Sequence, residues 1–297
     1  MTIAGTRTKV VSRRKFLRTS AATGAVALGL GSYCGIIEPN EVTVDQVEVC
    51  LPRWPHALDG LTIAQLSDIH YGPFLWEDEL RKVVRTTSAL HPDLVVLTGD
   101  FVSIPLVKSD GKPQRRAEEA GPCADLLAGL RPRLGISAVL GNHDHSTDPE
   151  IVARHLERKG ITVLRNQAVP VETQGARFWL AGIDDVLAQK DDLPRALAPV
   201  PRDEAVIALV HEPDFADTVA QFPVDLQFSG HSHAGQIRIP ILGAITLPEM
   251  GQKYPSGLRR VRQMQLYTNR GIGNTGLPLR FDCPPEISVL TLRSGMG

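Results

Sequence analysis

Cysteine is scarce in this sequence of 297 residues, and its four cysteines, Cys34, Cys50, Cys123 and Cys283, include no pair with C-x-x-C spacing. That absence argues against a structural zinc knuckle and against a cysteine-ligated redox cluster. Cys34 lies at the end of an N-terminal leader, and the other three are odd in number, so at most one disulfide can form among them. We expect these cysteines to be mainly small buried residues.

An excess of positive charge is also missing from the body of the chain. The formal net charge is −1, but residues 1–33 carry six Lys or Arg and no acidic residue. Subtracting those six from the 32 basic residues leaves 26 against 33 acidic residues, a balance of −7 beyond the leader. A mildly acidic body argues against a nucleic-acid-binding surface as the main function.

The leader has the features of an export signal. Residues 12–17 (SRRKFL) resemble the twin-arginine signal, and a moderately apolar stretch over residues 21–37 follows them. That stretch is less hydrophobic than a typical membrane span of about 20 strongly apolar residues. Ala25-Val26-Ala27 has the small-x-small form of a cleavage site but lies early in the stretch, so the leader is either removed or kept as an anchor. We predict a leader over residues 1–37 and a domain over 38–297, exported to the periplasm or cell envelope by the twin-arginine machinery.

Short apolar runs recur along the rest of the chain, and most are partly β-branched, which is typical of buried strands. A first strand is expected at 42–49, and the later runs are Leu61–Leu66, Leu94–Leu97, Ile136–Leu140, Phe178–Ala181, Ala205–Val210, Val224–Phe228, Gln265–Thr268 and Ile287–Leu292. Helical patterns lie between several of them, at 77–90, 115–130, 148–159 and 213–222. Strands and helices alternate in the first half, which predicts βαβ units, and strands prevail in the second half.

Five polar fragments closely follow predicted strands. They are 68–70 (DIH), 99–100 (GD), 141–144 (GNHD), His211 and 230–233 (GHSH). Open α/β sheets usually place ligands at the carboxyl ends of their strands, so we expect these side chains to meet at one edge. Carboxylate, amide and imidazole ligands delivered from several strand ends are what a two-metal hydrolytic centre needs.

Each fragment taken alone has a simpler interpretation. Asp68 beside His70 could be a surface acid next to a core histidine, and His211 could be structural. Asp100 could cap a helix or form a salt bridge, although an acid at the end of a buried strand is costly unless it is paired or metal-bound. The tetrapeptide at 141–144 is the most specific fragment, and the five in this order indicate a metal site.

The order and residue types of the fragments resemble the calcineurin-like metallophosphoesterase superfamily. The resemblance implies an α/β (α+β) fold, a four-layer β-sandwich of two mixed sheets flanked by helices. His143 would be a catalytic residue rather than a ligand and would assist the leaving group, and Asp144 would orient it. The resemblance implies ligands for two divalent cations, namely Asp68, His70 and His233 for one, Asn142, His211 and His231 for the other, and Asp100 as the bridge.

The implied activity is hydrolysis of a phosphate ester, with a phosphodiester favoured, by attack of a hydroxide that bridges the two metals. Ligands without thiolate suit Mn²⁺, Fe or Zn²⁺. Segments 267–273 (YTNRGIG) and 284–287 (PPEI) resemble the end of a bacterial, often exported, branch of the superfamily. No substrate-binding residue is predicted, since the arginines at 259, 260 and 262 fit either a second phosphate or a solvated face.

Two alternatives stay open on the sequence alone. The chain could be an envelope-anchored binding module with a structural metal site, although a non-ligand histidine at 143 argues against that function. Within the enzyme class, the alternatives are a phosphomonoesterase or a pyrophosphate hydrolase of a lipid-linked nucleotide. A lipid-linked substrate such as UDP-diacylglucosamine, known for relatives, is met on the cytoplasmic side and fits an exported enzyme poorly.

Overall fold

Two six-stranded mixed sheets pack face to face in the computed structural model, which describes residues 13–72, 75, 77–104 and 113–295, and helices cover their outer faces. The strands are β1 (Thr43–Leu51), β2 (Thr62–Leu66), β3 (Leu94–Thr98), β4 (Ile136–Val139), β5 (Ile161–Val163), β6 (Gln167–Thr173), β7 (Ala176–Gly182), β8 (Val206–Leu209), β9 (Leu226–Ser229), β10 (Arg238–Ile239), β11 (Gly243–Ala244), β12 (Gly257–Val261), β13 (Met264–Thr268) and β14 (Glu286–Ser294). The α-helices are α1 (Arg13–Ser32), α2 (Glu77–Ala89), α3 (Pro113–Ala117), α4 (Ala120–Leu127), α5 (Asn142–Thr147), α6 (Pro149–Arg158), α7 (Leu193–Leu197) and α8 (Ala216–Val219). Shorter helical turns are Tyr33–Ile37, Glu38–Asn40, His56–Leu58, Pro213–Phe215 and His233–Gly235.

Both sheets contain a parallel centre. The first has the order β1-β14-β2-β3-β4-β5, in which only the β14–β2 pair is antiparallel. The second has the order β12-β13-β9-β8-β7-β6, in which the four inner strands are parallel and both edge strands antiparallel. Strands β10 and β11 form a separate small hairpin. The prediction of a mixed α/β fold with two sheets flanked by helices is confirmed.

The central strands are apolar on both faces because each strand serves two cores. In β3, Leu94 and Val96 point into the core between the sheets, whereas Val95 and Leu97 point into the core beneath the outer helices. Side chains alternate along a strand, so a strand buried on both sides must be apolar at every position. A third core lies between the second sheet and the short helices α7 and α8, which completes four layers.

Local signals explain where the long helices begin and end. Helix α2 has acids at 77–79 in its first turn, where the helix dipole favours negative charge, and buries Leu80, Val83 and Val84. Helix α6 is capped by Asp148, whose side chain accepts a hydrogen bond from the Ile151 amide at 3.2 Å.

Some predicted elements differ in detail. The helical pattern at 115–130 is two helices, α3 and α4, because the ring of Pro122 conflicts with a continuous helix through the preceding turn. The pattern at 213–222 is a short helical turn followed by α8. The elements not predicted from the sequence are β5, β6, β10, β11, β12, α5 and α7, which are short or lie at sheet edges where half of the side chains are polar.

The part of the leader that the structure describes, residues 13–37, is helical and consists of α1 and the turn Tyr33–Ile37, together called the leader helix. The segment from Leu17 to Asn40 is long and apolar enough to cross a membrane by length and composition. None of its most apolar part is buried in the protein. Of the predicted export signal, Ser12 lies outside the described residues, while Arg13 and Arg14 are exposed in the first turn of α1.

All four cysteines lie within the described chain and are unpaired. Cys123 and Cys283 are buried, and Cys34 and Cys50 are half-buried. The expectation of small buried residues therefore holds for Cys123 and Cys283.

Candidate metal centre

The predicted metal fragments come together where the parallel strands of both sheets end. One group follows β2, β3 and β4 in the first sheet, and the other follows β8 and β9 in the second. Seven side chains converge there, namely Asp68, His70, Asp100, Asn142, His211, His231 and His233.

Three of these side chains form a first cluster. The Nε2 atoms of His70 and His233 lie 3.0 Å apart, and Asp68 Oδ1 lies 3.3 Å from His233 Nε2 and 4.0 Å from His70 Nε2. Ligand atoms held about 2.0–2.2 Å from one transition-metal ion are themselves roughly 3–4 Å apart. The cluster therefore has the dimensions of a metal-binding site.

A second cluster lies beside the first. The carbonyl oxygen of Asn142 is 3.2 Å from His211 Nε2 and 3.0 Å from His231 Nδ1. Asp100 lies between the clusters, because its Oδ2 is 3.3 Å from His211 Nε2 and 3.6 Å from His70 Nε2. A single carboxylate oxygen thus faces a histidine nitrogen of each cluster.

Hydrogen bonds behind the second cluster fix the tautomers of its histidines. The Nδ1 atom of His211 donates to the Thr98 carbonyl at 2.7 Å, and Nε2 of His231 donates to the Glu249 carbonyl at 2.7 Å. A carbonyl oxygen only accepts, so each histidine, when neutral, turns an unprotonated nitrogen toward the oxygen of Asn142. Facing acceptors repel one another unless a positive charge lies between them.

The electrostatics of these buried groups agree with that requirement. Burial, followed by the neighbouring His211, lowers the pKa of His231 to about 4, which keeps its ring neutral near pH 7. Burial alone would lower the pKa of His211, but the Asp100 carboxylate raises it well above the ordinary value. Conversely, burial would raise the pKa of Asp100, but His211 and then His143 hold it well below the ordinary value. A positive charge between Asp100 and His211, carried by a proton on His211 or by a metal cation, is therefore favoured.

The loops that carry the ligands are conformationally strained. Asp68, His70, Asp100, His231 and His233 have φ angles of 50°, 47°, 56°, 64° and 48°, in the left-handed region. Such a conformation costs on the order of 1–3 kcal/mol at a non-glycine residue and persists only where its surroundings impose it. One such constraint is the backbone amide of His231, which lies 3.0 Å from both carboxylate oxygens of Asp68.

Glycine is required where two of these loops approach each other. A Cβ atom at Gly141 would overlap Asp100 Oδ1, and one at Gly230 would overlap Ser67 Oγ and Asp68 Oδ2. At each of these two glycines, the backbone passes within contact distance of a candidate ligand. The glycines of the GNHD and GHSH fragments therefore set the spacing of the clusters.

His143 is half-buried and lines the cavity above the first cluster, with its ring centroid 4.6 Å from that of His70. The Nδ1 atom of His143 accepts a hydrogen bond from the Ile104 amide at 3.0 Å. The proton of a neutral ring is therefore on Nε2, so His143 can donate a hydrogen bond. The His143 backbone amide in turn donates to Asp100 Oδ1 at 2.9 Å.

The expected contact between Asp144 and the His143 side chain is absent, and this interpretation is corrected. The Asp144 carboxylate instead accepts hydrogen bonds from the amides of Asp100 and Phe101 at 2.9 Å each, Gly141 at 3.0 Å and Val102 at 3.3 Å. Burial, with the Asp100 charge adding to it, raises the pKa of Asp144 to about 7. Asp144 fastens the loop after β3 to the loop after β4, because four amides converge on its carboxylate.

Sequence reasoning missed Arg280, a fully buried side chain behind the first cluster. Its guanidinium donates to the carbonyls of Arg270, Gly271, Gly273 and Cys283 and to the Asn274 side chain, at 2.5–3.3 Å. The sole signal in the sequence was an arginine within an otherwise apolar segment, 277–281 (LPLRF).

Arg280 shapes the loop after β13, residues 269–276. A Cβ at Gly271 would lie 2.9 Å from Asp68 Cβ, and one at Gly273 would overlap the Ile69 carbonyl. The glycines of 271–276 (GIGNTG) match the G-x-G-x-x-G spacing of nucleotide-binding loops, but no helix follows them. Their spacing allows close packing against the β2 loop that carries Asp68 and His70.

A cavity of about 460 Å³ opens above the two clusters. His70, Asp100, Asn142, His143, His231 and His233 form its polar floor, and Ile237, Ile245, Leu247 and Leu277 are among the residues of its wall. The side chains of Arg259, Arg260 and Arg262 are exposed and do not line this cavity, which agrees with a solvated face.

Comparison with known proteins identifies the calcineurin-like phosphoesterase family. The model of the calcineurin-like phosphoesterase family matches residues 61–235, a segment that contains every candidate ligand. The chain is 35% identical to the uncharacterized metallophosphoesterase YkuE of Bacillus subtilis, covering 96% of this chain and 99% of the relative. It is 31% identical to the phosphodiesterase YaeI of Escherichia coli (95% and 100% covered). It is 28% identical to the UDP-2,3-diacylglucosamine pyrophosphatase LpxG of Chlamydia muridarum (86% and 90% covered).

The role of Arg280 can be tested by its replacement. Arg280→Met should lower the free energy of unfolding by about 3 kcal/mol or more, because several buried carbonyls lose their only charged donor. Arg259→Met, on an exposed arginine, should change it by less than about 0.5 kcal/mol. Urea unfolding of the full chain measures both, and equal small changes would contradict the role given to Arg280.

Proposed function

We propose that this chain, which belongs to the calcineurin-like phosphoesterase family and is a metallophosphoesterase, hydrolyses phosphodiesters at a two-metal centre. The observation that carries the proposal is the position of Asp100. Its Oδ2 faces one histidine nitrogen in each of two clusters, at 3.6 and 3.3 Å. A carboxylate oxygen in this position is placed to act as a ligand shared by two cations.

The donor set fits divalent cations. Asp68, His70 and His233 would hold one ion, Asn142, His211 and His231 would hold the other, and Asp100 would bridge them. When bound, two such ions would lower the pKa of a water molecule and neutralise charge on the phosphoryl oxygens. Oxygen and imidazole donors without thiolate suit Mn²⁺, Fe or Zn²⁺, and we favour Mn²⁺ or an Fe/Zn pair by family resemblance.

The remaining polar residues would hold the substrate and the leaving group. With Nδ1 occupied by the Ile104 amide, His143 presents Nε2–H to the cavity, where it would donate to the leaving oxygen. Asp144 would be a positioning residue and would not contact the substrate, because its carboxylate holds the backbone amides of Asp100 and Gly141.

Two observations bear on the bond that is cleaved. The relative YaeI is named a phosphodiesterase, which supports a diester. The relative LpxG is named a pyrophosphatase of a lipid-linked nucleotide, and the aliphatic wall of the cavity suits an apolar group, so pyrophosphate hydrolysis is the second candidate.

We further propose that the chain reaches the cell envelope by the twin-arginine route and that residues 1–37 can remain as an anchor. Arg13 and Arg14 are followed by a helix apolar enough to span a membrane. Replacing both arginines by lysine should leave the protein in the cytoplasmic fraction, and unchanged envelope localisation would refute this route.

Asp100→Asn should weaken the binding of both ions, because a neutral amide cannot act as a bridging anion. We expect less than one tightly bound equivalent per chain by elemental analysis after dialysis, against about two for the parent. Asp225→Asn is a matched control, since Asp225 precedes β9 at the opposite end of the sheet and pairs with Arg53. Two retained equivalents in Asp100→Asn would rule out the bridge.

His143→Ala should reduce turnover by roughly 10²–10⁴-fold with metal content nearly unchanged, because the lost group is a proton donor and not a ligand. His155→Ala, on helix α6 beside Glu118, removes a histidine outside the cavity and should keep turnover. Parental turnover in a folded, metal-loaded His143→Ala protein would remove this residue from the mechanism.

Hydrolysis itself is tested with the full chain in detergent, stripped of metal and reloaded with Mn²⁺, Zn²⁺ or Fe²⁺. Release of p-nitrophenol from bis-p-nitrophenyl phosphate should depend on added metal and exceed release from p-nitrophenyl phosphate. A preference for the monoester, or for a nucleotide pyrophosphate offered alongside, would replace the diester assignment. No cleavage by a folded, metal-loaded protein would leave a binding module as the better description.

A further inference from the structure

Exposed aliphatic side chains are concentrated at one place on the body of the protein. Beyond the leader (residues 1–37), the large hydrophobic residues that the structure describes as exposed are Ile104, Ile239, Ile241, Leu242, Ile245 and Leu277. All but Ile104 belong to the β10–β11 hairpin, its flank, or the adjoining loop. We call Ile239, Ile241, Leu242, Ile245 and Leu277 the apolar rim. Ile241 at the hairpin turn is fully exposed, and Leu242 is 79% exposed.

The apolar rim borders the cavity above the metal clusters. Ile245 and Leu277 line that cavity as well as facing solvent. The Gln236 side chain joins the two parts of the rim, since its amide nitrogen donates to the carbonyls of Thr275 and Leu277 at 3.1 and 2.7 Å. A molecule that covers the rim therefore also lies at the mouth of the cavity.

The rim is also joined to the end of the leader helix. The Arg280 amide donates to the Cys34 carbonyl at 2.9 Å, and the rings of Tyr33 and Phe281 meet edge to face at 6.4 Å. On its other side, Phe281 accepts a hydrogen bond from the Arg238 amide at the base of the hairpin, at 2.9 Å. Segment 279–283 thus lies between the hairpin and the helix that could cross a membrane.

We propose that the apolar rim is a second membrane contact, which lies in the lipid interface beside the leader helix and turns the mouth of the cavity toward the bilayer. A cluster of exposed aliphatic side chains of this kind usually marks an interaction surface. Its connection to an apolar helix at segment 279–283 selects a lipid bilayer as the occupant. The contact does not rest on the proposed reaction, but with that reaction it brings a phosphodiester borne by a membrane lipid within reach of the cavity.

The test places a tryptophan at the hairpin turn of the full chain. Ile241→Trp is reconstituted into vesicles of phosphatidylcholine and phosphatidylglycerol, with or without phosphatidylcholine brominated near the top of its acyl chains. Apolar side chains at an interface enter to a depth of about 5–10 Å, so the emission added by Trp at 241 should fall by roughly twofold or more with brominated lipid and shift to the blue.

Two controls separate insertion from mere anchoring by the leader. Glu172→Trp lies on β6 opposite Arg177 at the start of β7, at the end of the sheet away from the metal clusters, and its added emission should not be quenched. In the Ile241→Trp background, Leu242→Asp should abolish most of the quenching, whereas Leu242→Ile should preserve it. Both variants alter an exposed turn, and circular dichroism verifies that the fold is retained.

Quenching at position 241 no greater than at position 172 overturns the proposal. Quenching that is insensitive to Leu242→Asp overturns it as well, because inserting the turn into the membrane would bury the new carboxylate in lipid, which is unfavourable. If the added emission instead shifts with protein concentration in the absence of vesicles, the rim is covered by a second copy of the chain and the membrane assignment is wrong. None of these readouts uses turnover, so failure here is distinct from failure of the phosphodiesterase assignment.

Discussion

The structure depends on a set of acceptor atoms that face one another in a buried place. Asp100 Oδ2 and the Asn142 oxygen lie 3.3 and 3.2 Å from the Nε2 atom of His211, and when His211 is neutral its proton is committed to the Thr98 carbonyl. Acceptors in a low-dielectric interior repel unless a cation lies between them, and burial strengthens the demand. That demand, rather than the presence of any single ligand, makes this edge of the two sheets the candidate metal centre.

The surrounding chain is organised to hold that repulsive arrangement in place. Five of the seven candidate ligands have left-handed backbone conformations, and the His231 amide holds the Asp68 carboxylate from a different strand end. Asp144 binds the loop after β3 to the loop after β4, and Arg280 gathers the carbonyls of the loop after β13. Both residues act mainly on backbone groups of these loops, and neither lines the cavity above the clusters.

A polar floor and an aliphatic mouth give the cavity two chemical halves. The floor offers nitrogen and oxygen donors to cations and phosphate, whereas the wall offers Ile237, Ile245 and Leu277. A small water-soluble ester would use the floor alone. An amphipathic ester would use both halves, and the position of the rim beside the leader helix suits such a molecule because its two parts would meet matching surroundings.

The sequence alone predicted most strand positions, the alternation with helices and the residue types at each strand end. Apolar runs and the polar fragments after them are local patterns, so they need no knowledge of the fold. The break between α3 and α4 was not predicted because a single proline gives only a weak local signal. The edge strand β6 was not predicted because its half-polar side chains obscure the apolar pattern of a strand. The partner of His143 is the amide of Ile104, 39 residues away, and that of His211 is a carbonyl 113 residues away. Backbone groups carry no sequence signal, so only the packing of distant strand ends decided which histidine nitrogen faces the centre and which carboxylate oxygen lies between the clusters. The same packing decided that Asp144 holds two loops together and does not contact the His143 side chain.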